Sequence, residues 1–259
     1  MISLTDQTGR NIILEKQPSK IISLVPSQTE LLFKLGLEKE TIGITKFCVR
    51  PETWFKDKIK VGGTKTLHLD LINKLTPDVI IANKEENDEI QIKALCEEYP
   101  VYISDVKNLN DAIKMIEDLG KITCKEESAD SIIQQIKREF SKIKPGKEIR
   151  TAYFIWQNPY MSVGHDTFIN DMMKQCGFYN VLRSKERYPE TNIEELNSLN
   201  CELLLLSSEP FPFKEKQVEE IKTAGFKGKI MLVDGEMFSW YGSRLIEAPV
   251  YFRQLLQLL

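Results

Sequence analysis

The feature that most constrains this chain is a run of short apolar segments alternating with helical ones, which occurs twice. Ile21-Ile22-Ser23-Leu24-Val25 is apolar at nearly every position, as in a strand buried on both faces. Pro26-Ser27 ends it. The helix that follows has Ser27 or Thr29 as its cap, Glu30 in its first turn, Leu31, Leu32 and Leu35 on its buried side and Gly36 as its stop. Residues 41–45, 77–82 and 101–103 read as further strands, and residues 60–65 as a short strand and loop. Residues 70–74, a segment ending at Glu98, and residues 109–122 read as helices. In front of them, Ile2-Ser3-Leu4 and Ile12-Ile13-Leu14 flank Asp6-Gln7-Thr8-Gly9 and predict a hairpin. The order restarts with strands at residues 150–155, 201–206 and 230–233. Between them lie helices through Met172, through Leu196 and over residues 214–223, and a Leu-rich helix closes the chain. Such alternation specifies parallel α/β sheets.

Residues 126–144 separate the two series. Ile132, Ile133, Ile136, Phe140 and Ile143 recur at spacings of three and four and form one helical stripe. Acidic residues open the segment, Lys137, Arg138, Lys142 and Lys144 close it, and Pro145-Gly146 follows. At about 1.5 Å per residue the helix would be roughly 27 Å long. The same pattern also suits an ordinary amphipathic surface helix. The expected architecture is two α/β lobes, residues 1–123 and 146–259, with a linker helix over residues 124–145. The carboxyl ends of their strands would face one ligand cleft.

Composition narrows the function. The 259 residues carry a net charge of −3 with no basic tract, which argues against a nucleic-acid surface. No apolar run reaches the ~20 residues that span a bilayer, so no membrane insertion is expected. Read from Met1, the chain shows neither a secretory leader nor a lipid-attachment cysteine, and a cytoplasmic location is expected; a start further upstream would allow a periplasmic one. Five scattered cysteines suit reduced thiols better than a disulfide framework. GxSxG, HExxH, Walker and GxGxxG patterns are absent, so no enzyme is expected.

Asp6-Gln7-Thr8-Gly9-Arg10, followed by Ile21 to Leu32 and Leu35-Gly36, resembles the opening of class III solute-binding proteins, the vitamin B12, haem and iron-siderophore receptors of ABC importers. Val61-Gly62-Gly63-Thr64-Lys65, Leu75-Thr76-Pro77-Asp78-Val79-Ile80 and Asn180-Val181 resemble later landmarks, and the cobalamin branch is the nearest in pattern. The resemblance implies two α/β lobes on a rigid helix with a cobalt- or iron-containing chelate between them, no tightly bound cofactor, and an ABC permease as partner. The chain itself would be a monomer. Thr64-Lys65 and Lys84-Glu85-Glu86 are polar where aromatic contacts are expected, which suits a smaller or more charged ligand. The alternative is a cytosolic enzyme or carrier in chelate or cofactor salvage on the same fold.

The candidate ligand residues are Phe47, Arg50, Lys65, Trp156, Tyr160, Trp240, Tyr241 and Arg244. The aromatics would stack on a flat ligand or else pack beneath their loops. The cations would hold ligand acids or else form surface ion pairs. Glu85, Glu86 and Glu209 would meet permease cations, as the family implies, or simply be solvated. His68 and His165 lack a partner at metal-ligand spacing and read as surface histidines. Cys48 reads as a small buried residue rather than a soft-metal ligand.

Overall fold

The computed structural model describes residues 1–259. The chain divides into two compact units. The first comprises Met1–Val106, Asn110–Ile136 and Trp240–Leu245; the second comprises Lys107–Leu109, Lys137–Ser239 and Ile246–Leu259. The units are therefore interleaved in sequence, whereas the expected lobes are contiguous.

The first unit opens with the antiparallel pair β1 (Ile2–Thr5) and β2 (Asn11–Leu14). There follow β3 (Ile21–Ser23), α1 (Pro26–Lys34), β4 (Thr41–Ile44), α2 (Glu52–Asp57), β5 (Ile59–Lys60), α3 (Leu69–Leu75), β6 (Val79–Asn83), α4 (Glu89–Glu98), β7 (Val101–Ser104) and α5 (Leu109–Thr123). The five strands β3 to β7 form a parallel sheet in the order β5-β4-β3-β6-β7. Strands β3, β6 and β7 are buried at every position, which is why their sequences are apolar runs without alternation. One face of the sheet packs Ile22, Leu24, Ile80, Ala82 and Val101 against Ile72, Ile92 and Leu95 of the helices.

Strand β7 is an edge, and an open edge invites pairing with other chains. Here the hairpin covers it. Asp6 accepts the Ile103 N–H through Oδ2, at 3.3 Å, and Gln7 accepts the Asp105 N–H at 3.0 Å. The other oxygen of Asp6 holds the turn itself, accepting from the N–H and hydroxyl of Thr8 and from the N–H of Arg10.

Helix α6 (Glu126–Phe140) is 15 residues long, roughly 22 Å rather than 27 Å. It ends four residues before the expected stop because Lys142 and Ile143 donate to Glu139 and Phe140, three residues back, which tightens the last turn. Residue 144 precedes Pro145 and is biased away from the helical region. The passage from the first unit to the second falls within α6, after Ile136.

The second unit contains β8 (Ile149–Phe154), α7 (Phe168–Gln175), β9 (Phe178–Asn180), α8 (Ile193–Ser198), β10 (Leu203–Ser207), α9 (Glu215–Thr223), β11 (Lys229–Val233), α10 (Gly235–Ser239) and α11 (Ala248–Gln257). A 3-10 turn, Ser243–Ile246, precedes α11. The four strands are parallel, in the order β11-β10-β8-β9. The core sets Ala152, Phe154, Leu204 and Leu206 against Leu196, Val218 and Ile221.

Two expectations change in detail. Helix α1 starts on Pro26, with Val25 at the cap position and no side-chain cap. Proline suits the first helical position because its missing N–H has no partner there anyway. Thr29 instead donates inward, to Ser23 Oγ at 2.8 Å and to the Val25 carbonyl at 2.9 Å. In the short strand and loop expected over residues 60–65, the strand β5 already ends at Lys60, and Gly62 turns the chain at φ +110°. A Cβ there would lie 2.4 Å from the Thr66 carbonyl, so only glycine fits.

Candidate functional site

Ligand groups in open α/β sheets gather on the loops that leave the carboxyl ends of strands. In the first unit, β6 ends on buried Asn83, which organises its loop. Its side-chain oxygen accepts the N–H groups of Glu85 and Glu86 at 2.8 and 2.9 Å. Its own N–H donates to Asn87 Oδ1 at 2.8 Å. Asn87 then donates to the carbonyls of Leu24, after β3, and Thr64, after β5, at 3.2 and 3.1 Å. Three strand-end loops are thereby tied into one surface. Lys65 belongs to the same tie: its ammonium donates to the carbonyls of Glu85 and Asn87 at 2.7 and 3.1 Å.

Beside this surface the loop after β4 carries Phe47, which is 50% exposed. Lys46 lies over its ring at 5.3 Å. Gly63 sits beneath them, and a Cβ there would come within 3.2 Å of the Phe47 ring. Arg50 is exposed at the end of the same loop. Cys48 points inward and is fully buried, with the hydroxyls of Thr29 and Thr45 at 3.1 and 3.2 Å. Burial pushes its thiol up to about 11, against the opposing effect of those hydroxyls, so the sulfur stays protonated and inert.

In the second unit, β8 runs into Trp156, which is 42% exposed. The indole meets Phe211 edge-on, with ring centres 5.8 Å apart. Phe211 packs on Phe213 at 4.8 Å, Phe213 lies 6.4 Å from Phe154, and Phe154 stacks on Tyr160 at 4.8 Å. Trp156 therefore stands on a stack of aromatic rings that continues into the core. Tyr160 is a member of that stack and is half-buried. Phe211 and Phe213 were not singled out from sequence, although Phe211-Pro212-Phe213 after a strongly apolar strand was a visible signal.

Trp240, Tyr241 and Arg244 are buried and have partners within the first unit. They belong to the segment of the first unit that comes from the far end of the chain, and they are only 7%, 6% and 8% exposed. The Tyr241 hydroxyl donates to Glu86 Oε1 at 2.6 Å. Arg244 makes a two-pronged ion pair with Glu30 of α1, with Nε donating to Oε2 at 3.2 Å and Nη2 to Oε1. The Arg244 guanidinium also lies 5.4 Å from the Trp240 ring centre. Gly242, at φ +135°, lets the segment lie against α1, where a Cβ would be 3.1 Å from the Ser27 carbonyl. Burial, reinforced by the Glu86 carboxylate, pushes the Tyr241 phenol well above its ordinary range.

Glu209 and His165 also have internal partners. Glu209 accepts the Ser239 hydroxyl at 2.6 Å. His165 sits by its Nδ1 at 3.0 Å from the Lys185 carbonyl, and His68 is at the entrance to α3.

Comparison with known proteins places this arrangement. The chain is 24% identical over 264 residues to an uncharacterized ABC transporter substrate-binding lipoprotein, YvrC, of Bacillus subtilis, covering 95% of this chain and 82% of that protein. It is 26% identical over 195 residues to the vitamin B12-binding protein of Vibrio campbellii, covering 73% and 70% of the two. Among solved structures, the vitamin B12 binding protein BtuF of Vibrio cholerae superposes with a TM-score of 0.75 at 19% identity, covering 93% of this chain and 97% of that one. The catecholate-siderophore binding protein VctP, also of Vibrio cholerae, gives 0.78 at 14% identity, with 98% and 99% covered. The family described as periplasmic binding protein matches residues 21–227, and the chain belongs to that family.

Proposed function

We propose that this chain is a solute-binding protein for a metal chelate, a corrinoid, haem or ferric siderophore, and that it serves an ABC-type importer. The observation that carries the reading is the exposure of one aromatic side chain on the strand-end loops of each unit, Phe47 in the first and Trp156 in the second. Haem and corrinoids carry a flat macrocycle and catecholate siderophores carry aryl rings, and stacking on such rings binds them without any catalytic group. Lys46, over the ring of Phe47, and Arg50, exposed on the same loop, would meet acidic groups on the ligand. The names of the relatives, B12 and siderophore binders, support the same ligand class.

The reading also extends to place and partner. Its relatives include a lipoprotein and periplasmic proteins. No helix is long and apolar enough to cross a membrane. We therefore place the chain's work at the cell envelope, beside a permease. Fractionation of cells carrying the gene with its native upstream sequence tests the location. Glu85→Lys and Glu209→Lys test the permease contact, with loss of uptake but retained ligand binding as the expected result.

The decisive experiment is a thermal-shift and absorbance titration of the purified chain with cobalamin, cobinamide, haem and several ferric siderophores. Saturable binding of one of them, weakened at least tenfold in Trp156→Ala, is the expected result. Binding of none at micromolar concentration overturns the proposal.

A further inference from the structure

The first unit holds a cavity of about 570 Å³ that none of Phe47, Lys65 or Trp156 lines. It lies between the hairpin turn, the carboxyl end of β6, the edge strand β7 and one face of α4. Its size falls in the range of small-molecule sites.

Its floor is apolar. Ile92 of α4 and Ile103 of β7 are both almost fully buried, and Cys96 lies one helical turn beyond Ile92. Most of the charge on its walls is already neutralised. Lys93 pairs with Glu89 at 2.6 Å, and Lys84 pairs with Asp105 at 2.8 Å. Two charges are left over. Arg10 meets no carboxylate: its guanidinium donates only to the Cys96 sulfur, a poor acceptor. Glu97 has no cation partner.

We infer that this cavity is a second ligand site, distinct from the exposed rings of Phe47 and Trp156, that takes a small molecule with an apolar body and a single carboxylate. Ile92 and Ile103 bury the body. Arg10 leaves the thiol and forks onto the carboxylate, exchanging a poor acceptor for a charged one. Glu97 repels a second anion, which sets the preference for monocarboxylates over dicarboxylates. The position of Arg10 is prepared by the backbone and not by its own side chain, since Asp6 holds the Arg10 N–H at 2.9 Å.

Cys96 supplies the readout. Cys124 is exposed and far along the chain, while Cys48, Cys176 and Cys201 are buried. The full chain is labelled with N-ethylmaleimide and followed peptide by peptide, with decanoate as the probe, decanol as its neutral counterpart and sebacate as the dicarboxylate. Decanoate is expected to slow labelling of Cys96 at least fivefold without affecting Cys124, and calorimetry is expected to show one saturable site. Arg10→Gln, an exposed change that leaves the turn's backbone bonds in place, weakens decanoate about tenfold, and Arg10→Lys restores part of the loss. Sebacate protects less than decanoate, and Glu97→Gln narrows that difference. The site is overturned if Cys96 labels equally fast with and without decanoate, if decanol protects as well as decanoate, or if Arg10→Gln binds decanoate unchanged. Chelate binding at Trp156 is read by absorbance, so either site can fail without the other.

Discussion

Trp156 and Trp240 both lie in the later half of the sequence, the first just after β8 and the second just after α10, and the structure uses them in opposite ways. Trp156 stands 42% exposed on a column of rings, Phe211, Phe213, Phe154 and Tyr160. Trp240 is 7% exposed and leads a segment in which Tyr241 bonds Glu86 and Arg244 bonds Glu30, both in the first unit. The first is a surface made rigid from below, and the second is a packing element that carries buried charge. An aromatic in a polar loop can be either, and what separates them is the support beneath the ring.

The largest expected effect breaks the second case. Arg244→Ala takes the guanidinium from the largely buried Glu30 carboxylate and should cost about 3 kcal/mol of stability by urea denaturation. The double change Glu30→Gln with Arg244→Met should recover part of that loss, because no unpaired charge is left. Trp156→Ala gives the opposite signature: chelate affinity falls at least tenfold while stability changes by less than about 1 kcal/mol, since a half-exposed ring is removed and its column remains. Tyr241→Phe sits between them. It should lose about 1–2 kcal/mol with the charged hydrogen bond to Glu86 and leave chelate affinity unchanged. A Trp156→Ala protein that unfolds, or a Tyr241→Phe protein that loses its ligand, would reverse the comparison.

Titration sharpens it further. The Tyr241 phenol ionises well above 10 in the folded chain because of burial and the Glu86 carboxylate. The unfolded chain releases that proton near 10, so this contribution is intact below pH 10 and declines as pH rises beyond it. The wild-type stability loss between pH 10 and 11 should therefore be smaller in Tyr241→Phe. At the acidic end of the scale, Lys185 bonds the Glu195 carboxylate at 2.6 Å and holds its pKa below the usual glutamate value, and Thr191 adds to the effect against partial burial. The resulting stability is present above about pH 4.5 and is lost as pH falls through the lowered value. Glu195→Gln should flatten that part of the melting curve by a few tenths of a kcal/mol, the smallest effect of the series.

Much of the fold was legible because burial on both faces writes itself into consecutive residues. Strands β3, β6 and β10 are apolar at nearly every position and buried at all of them. The helix α2 was not legible, because it is six residues long and buries only Trp54, too little for a periodicity to register. Strand β9 has three residues, and α10 lies in a stretch that reads as loop. In the candidate site, the loop positions of Phe47 and Trp156 were readable, whereas the burial of Tyr241 and Arg244 was not. Their partners Glu86 and Glu30 lie 155 and 214 residues away, and no local pattern records a contact at that distance.

The return of Trp240–Leu245 to the first unit has a consequence for how the molecule is made. A ribosome would have delivered nearly the whole chain before Glu30 and Glu86 could meet their partners. Until then the amino-terminal portion exposes two carboxylates and an unfilled apolar seat, a state that invites chaperone capture. A fragment cut after Ile136 would remain in that state indefinitely, so the two units are not separable modules of an expression plasmid, even though each has a sheet and a core of its own. Supplying Trp240–Leu245 as a short peptide in trans would show how far the early portion depends on that late stretch.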